Sequence, residues 1–223
     1  EEAKLDAQKK AARGKSHLIE VLLLNHGLSA EANLAIQFLI TVWRNAAAAA
    51  MEFVEDGMVI GLGTGSTASF FVEFLAEEVG EGLSVKGVPT SEATHKLAME
   101  LGVPLLPVEQ VERIHLTIDG ADEINTQGIC IKGGGGALTR EKILAQAAKK
   151  FLCLIDESKM VQTLGQKHAL PIEVLQFART AVAKQCMLLK GRPQYREHFV
   201  TDNGHIILDV YFKITDLKAL NDH

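Results

Sequence analysis

The sequence predicts an α/β fold: a doubly wound, mainly parallel sheet forming a catalytic domain, followed by a second, smaller α+β domain. Three observations predict it. From Met58 onward short β-branched runs alternate with helical patterns, as stacked βα units require. Strand-like runs lead into two glycine-rich turns, Gly61-Leu62-Gly63-Thr64-Gly65 and Lys132-Gly133-Gly134-Gly135-Gly136. After about Gly165 the texture changes to short strands, one helical pattern and an Asp202-Asn203-Gly204 turn.

The elements follow in chain order. Residues 16–24 and 30–43 read as helices around His26-Gly27-Leu28-Ser29, and the alanine tract 46–50 carries helix on to Val54 before Gly57 ends it. Residues 58–62 form the first strand, and 66–79 a helix with Phe70, Phe71, Phe74 and Leu75 at helical spacing. Residues 84–88 are the next strand and 91–101 the next helix. Residues 114–118 form a buried strand ending in acids, followed by a helix over 139–150 and a strand over 151–155. Beyond Gly165 come a strand at 171–175, a helix at 178–189, and strands 199–200 and 206–210 on either side of the turn. The domains are therefore expected at 45–165 (catalytic) and 166–223 (small), with residues 1–44 a helical extension of unknown role.

Composition removes several function classes. A net charge of −5 is the wrong sign for a general nucleic-acid surface, which needs a concentrated excess of Lys and Arg. A helix-turn-helix reading of the N-terminal region is the sharp alternative there, and it is disfavoured because the second helix has few basic side chains and no third helix precedes the first strand. Cys130, Cys153 and Cys186 are odd in number and lack metal-ligand spacing, so neither a disulfide framework nor a zinc site is expected. The apolar stretch 34–43 is too short to cross a bilayer, and Glu1-Glu2-Ala3-Lys4 lacks a signal-peptide layout. A cytoplasmic protein without membrane or nucleic-acid partners is the expectation.

Three motifs carry chemistry. The first, Gly61-Leu62-Gly63-Thr64-Gly65-Ser66-Thr67, follows a strand and opens a helix, so its backbone N–H groups and hydroxyls suit an anion. A phosphate site, a dinucleotide site and a plain tight turn all fit it, although position 66 is Ser66 where a nicotinamide fingerprint has glycine, and no Walker lysine is present. The second, Asp119-Gly120-Ala121-Asp122-Glu123, sits at the carboxyl end of a strand, where open α/β sheets bind ligands; helix capping is the bland reading of such acids. The third, Lys132-Gly133-Gly134-Gly135-Gly136-Ala137-Leu138-Thr139-Arg140-Glu141, spends much backbone entropy on ordering four glycines, which a flexible linker between a strand and a good helix would not require. Glu141, in the first turn of that helix, either complements the helix dipole or acts as a catalytic acid or base.

Taken together these segments closely resemble type A ribose-5-phosphate isomerase, from about Asn45 to His223. The likeness continues through Asp156-Glu157-Ser158-Lys159, Gly191-Arg192-Pro193-Gln194-Tyr195-Arg196 and Val200-Thr201-Asp202-Asn203-Gly204. The resemblance implies a homodimeric isomerase of the pentose phosphate route that interconverts ribose 5-phosphate and ribulose 5-phosphate with neither cofactor nor metal. It implies Glu141 as the proton-transferring base, with Asp119, Asp122 and Lys132 as catalytic partners around the sugar. It implies a substrate site made by Thr64, Gly65, Ser66, Thr67, Gly120, Ala121, Gly133, Gly134, Gly135 and Lys159. The family commonly carries a lysine just before the first glycine loop; here the neighbourhood is Thr41-Val42-Trp43-Arg44, which makes Arg44 the candidate substitute. The family's last strands lie beyond the position of His223, so the small domain is expected to be incomplete, with strands 199–200 and 206–210 lacking a neighbour. Two rivals share the fold: the effector domain of a sugar-responsive repressor, which would only sense the sugar phosphate, and a coenzyme A transferase with a glutamate nucleophile.

Overall fold

The computed structural model describes residues 30–212, with side chains from Phe38 onward. The helix expected at 16–24 and the turn at His26-Gly27-Leu28-Ser29 lie outside the described residues. Residues 30–43 and the alanine tract merge into one helix, α1 (Ala30–Ala50), followed by a 3-10 turn at Met51–Phe53. Among its described side chains Ile40, Ala47 and Ala50 are buried, spaced by seven and three as one helical face demands.

The main sheet contains β1 (Val59–Leu62), β2 (Lys86–Pro89), β3 (Ile114–Gly120) and β6 (Ala148–Leu154), in the spatial order β2-β1-β3-β6 and parallel throughout. Between them run α2 (Ser66–Gly80), α3 (Glu92–Glu100) and α4 (Leu138–Ala147). Side chains alternate across β3, and each face has its own cover. Leu116 and Ile118 join Phe70, Phe71, Leu75 and the α1 residues in one apolar cluster, while Thr117 Oγ1 donates to the Leu144 carbonyl of α4 at 3.1 Å. The sheet is therefore doubly wound. Because the chain passes from β1 outward to β2 and then back to β3 on the other side, strand order reverses between β1 and β3. A crevice opens at the carboxyl ends of those two strands, which is where Thr64 and Asp119 sit.

A helix over 139–150 is corrected by three residues. Ala148, Lys149 and Lys150 belong to β6, whose first residue pairs with Ile114. Local helix propensity loses there to a parallel ladder with β3.

A two-stranded hairpin, β4 (Glu123–Ile124) and β5 (Cys130–Ile131), links the motifs to the second sheet. That sheet is antiparallel, ordered β7-β9-β8, with β7 at Leu170–Val174, β8 at Arg192–Tyr195 and β9 at Ile206–Tyr211; α5 (Arg179–Leu188) packs beside it. Leu208 and Val210 of β9 pack with Val174, Ala183 and Cys186, and with Ile131, Val161 and Leu164 from earlier in the chain. Here the expected hairpin is overturned: Phe199 and Val200 form no strand, and β9, far from lacking a neighbour, is central between β7 and β8. The turn itself is present, closed by Gly204 N–H to the Thr201 carbonyl at 2.9 Å. Glu173 on β7, half-buried with its side chain turned inward, accepts from Thr201 Oγ1 (2.6 Å) and Asn203 Nδ2 (3.0 Å), so side chains rather than a ladder hold the turn.

Candidate active site

The loop after β1 enters α2 through Gly65, whose φ of +108° is a conformation that side chains disfavour. No side chain caps this helix, so its first-turn N–H groups open onto a cavity lined by Gly65, Ser66 and Thr67. Thr64 serves differently. Its hydroxyl lies 2.8 Å from Thr90 Oγ1 and 2.9 Å from Ser91 Oγ, tying the loop to the start of α3, and its N–H donates to Asp119 Oδ1 at 3.2 Å.

Asp119, at the end of β3, is fully buried beneath that loop. Its Oδ1 also accepts the Gly120 N–H (2.7 Å), and its Oδ2 lies 2.9 Å from Lys132 Nζ. The same ammonium donates to the Gly120 carbonyl at 2.6 Å and sits 3.1 Å from Glu141 Oε2. Lys132 follows β5, and Glu141 lies in the first turn of α4, so three elements converge on one cation flanked by two acids. The Glu141 side chain is buried at 4% exposure, and burial together with the Asp119 charge pushes its carboxyl up to about 7 despite the opposing pull of Lys132. Burial likewise raises Asp119, against the same lysine. Burial would lower Lys132, but the two carboxylates outweigh it and keep the ammonium charged.

The glycine loop closes over this group. Gly134 N–H donates to Asp122 Oδ2 at 2.7 Å, and a methyl at Gly134 would overlap that carboxylate, so glycine is the residue that allows the approach. Glu123 next door is buried and accepts N–H bonds from Gly165 (2.7 Å), Lys167 (2.5 Å) and His168 (2.6 Å). Burial alone would raise its carboxyl, but these donors hold it below the usual carboxylate range.

The residues that the sequence singled out gather around one cavity of about 210 Å³. Thr64, Gly65, Ser66, Thr67, Gly120, Ala121, Asp122, Lys132, Gly133, Gly134, Gly135, Glu141 and Lys159 all line it. Asp119 does not; it backs the wall and orients Lys132 and Thr64.

Residues 86–223 match the family model of ribose 5-phosphate isomerase A (phosphoriboisomerase A). This chain belongs to that isomerase family. Ribose-5-phosphate isomerase A of Glaesserella parasuis is 48% identical over 171 residues, which cover 76% of this chain and 77% of the relative. Among solved structures, ribose 5-phosphate isomerase A from Methanocaldococcus jannaschii superposes with a TM-score of 0.79 at 39% identity, covering 82% of this chain and 84% of its own. A D-ribose-5-phosphate isomerase solved in complex with phospho-erythronic acid gives 0.76 at 39% identity, over 79% and 81%. Of the readings left open by the sequence, family membership selects the isomerase.

Against the family pattern, the expectation for Arg44 is corrected. Its guanidinium stacks 5.1 Å from the Phe74 ring and 5.5 Å from that of Phe70, with Glu73 Oε2 3.7 Å away, all on α2 and away from the cavity. The cavity is lined instead by its neighbour Trp43, which sequence reasoning missed together with Asp156. Nothing in the α1 sequence signals which of two adjacent residues turns inward. Asp156 did stand in a segment of family resemblance, Asp156-Glu157-Ser158-Lys159, which was the available signal.

Proposed function

We propose that this chain interconverts D-ribose 5-phosphate and D-ribulose 5-phosphate through an enediolate, with Glu141 as the proton-transferring base. One observation carries the reading: a buried carboxylate at the cavity, raised to about 7, whose oxygen lies 3.1 Å from a lysine ammonium. A base poised near neutrality can both take and return a proton. Glu141 removes the C2 proton of the open-chain aldose, the electron pair forms the C1–C2 double bond, and negative charge develops on O1. The C2 hydroxyl proton moves to O1, and Glu141 returns its proton to C1, leaving a carbonyl at C2. Lys132 stabilises the developing oxyanion as a preorganised cation. Asp119 holds that lysine in place, and Asp122, tied to Gly134, orients sugar hydroxyls.

The α2 N-terminus, Ser66, Thr67 and Lys159 form the phosphate end of the site. The related isomerase in complex with phospho-erythronic acid supports a phosphorylated ligand here. The reading also divides the chain near Gly165 and assigns the enzyme to the pentose phosphate pathway in the cytoplasm; the homodimer rests on the resemblance alone. The test is conversion of ribose 5-phosphate by the purified protein in deuterated water, without any acyl donor. Formation of ribulose 5-phosphate with solvent deuterium at C1 is expected, since a carboxyl acid exchanges its proton. Absence of turnover would reject the function, and turnover confined to reactions given an acyl-coenzyme A would favour the transferase.

A further inference from the structure

The sequence contains a single tryptophan, and the fold brings it to the cavity. Trp43 lies on α1, with its ring packed against the apolar cluster of Phe70, Phe71 and Leu75. Its Nε1–H donates to Asp156 Oδ2 at 3.0 Å, a contact between residues 113 positions apart. Asp156 Oδ1 accepts the Ser158 N–H at 2.8 Å, capping the 3-10 turn Glu157–Lys159 that presents Lys159 to the cavity. Both oxygens of this carboxylate are thus held by N–H donors. Burial alone would raise Asp156, but the bonds from Ser158 and Trp43 outweigh it and keep the carboxyl below its ordinary range, so it is an anion at neutral pH.

An anion lining the same cavity as Ser66, Thr67 and Lys159 works against a phosphate dianion. Lys132 offers no relief, because its ammonium is held beside Asp119 and Glu141, at the end of the site where the proposed oxyanion develops. Lys159 is then the lining cation left to meet the phosphate, and it sits three residues from the competing charge. We propose that Trp43 is a further substrate-binding residue at the phosphate end: its ring walls the subsite, and its indole N–H occupies the Asp156 oxygen that would otherwise repel the phosphate. The inference rests on the phosphate subsite described above and adds to it a residue that screens charge rather than supplying it.

Steady-state kinetics of the full chain with ribose 5-phosphate, and with inorganic phosphate as a competitive inhibitor, test it. Trp43→Phe keeps an aromatic ring on α1, smaller than the indole, and deletes the N–H. It should raise KM and the phosphate inhibition constant roughly three- to tenfold while kcat moves by less than about twofold. In an Asp156→Asn background, where the acceptor carries no charge, the same change should cost much less. The unmodified protein supplies a second readout, since inorganic phosphate should alter the emission of its one indole. If Trp43→Phe leaves KM and phosphate inhibition unchanged while Lys159→Ala weakens both, the role of Trp43 is refuted and the phosphate subsite stands. If neither variant weakens phosphate inhibition, both are refuted. An equal penalty for Trp43→Phe with and without the Asp156 charge overturns the screening argument, as does an indole that does not respond to saturating phosphate.

Discussion

The Lys132 ammonium and the Glu141 carboxylate meet at 3.1 Å, from opposite ends of one glycine-rich loop. Nine positions separate them in sequence, yet β5 delivers one and α4 the other to the crevice between β1 and β3. The pair is completed by Asp119, whose Oδ2 lies 2.9 Å from the same ammonium, so two carboxyl groups face one cation.

Glu141→Gln should lower kcat by roughly 10²–10⁴-fold while substrate affinity changes little, because the amide keeps the shape but cannot accept a proton from carbon. The comparison is kcat from initial rates against the dissociation constant from calorimetry. A variant retaining full turnover removes Glu141 from the role of base.

The pH profile follows from the same carboxyl. With Glu141 as the proposed base, turnover needs its ionised form, so kcat/KM should rise with pH through about 7. Stability should move the other way. The folded-state value is raised above the ordinary 4.5, so the folded protein binds more protons than the unfolded chain between those values. Its contribution to stability is full below about 4.5 and is lost as pH rises through about 7. Urea midpoints measured across that window, with Glu141→Gln as the control lacking this titration, should show the extra slope in the parent alone.

Lys132→Ala removes the cation and leaves two buried carboxylates facing each other. Turnover should fall more than affinity, and stability at neutral pH should drop by about 3 kcal/mol because buried negative charge is left without its partner. Urea unfolding should show this loss diminishing toward acid pH, where the acids protonate. A pure rise in KM would move Lys132 to ground-state binding.

Glu123→Gln tests the anchor beside the site. The amide retains one oxygen for three backbone donors and carries no charge, so the chain should lose about 1–3 kcal/mol. A fall in the thermal midpoint is expected, with a smaller change in kcat than for the Glu141 and Lys132 variants. An unchanged midpoint would show that the three N–H groups find other partners.

Periodicity and composition determined much of this protein. The order of strands and helices from β1 to α5, the two-residue β4 apart, was legible because each apolar repeat is local, and the three motifs were legible because glycine runs and clustered acids are costly unless used. What failed was whatever depends on partners distant in sequence. Ala148-Lys149-Lys150 reads as helix by itself and becomes strand because β3 offers it a ladder. Phe199 and Val200 form no strand: the adjoining turn is held by side-chain bonds to Glu173 on β7, and β9 pairs with β7 and β8. Arg44 and Trp43 are adjacent, about 100° apart around α1, and only packing against α2 decided that the cation turns to Phe70 and Phe74 while the indole reaches Asp156. Sequence alone thus named the residue types that gather at the cavity; burial, which raises Glu141 and sinks Asp119 below the cavity wall, is a property of the assembled fold.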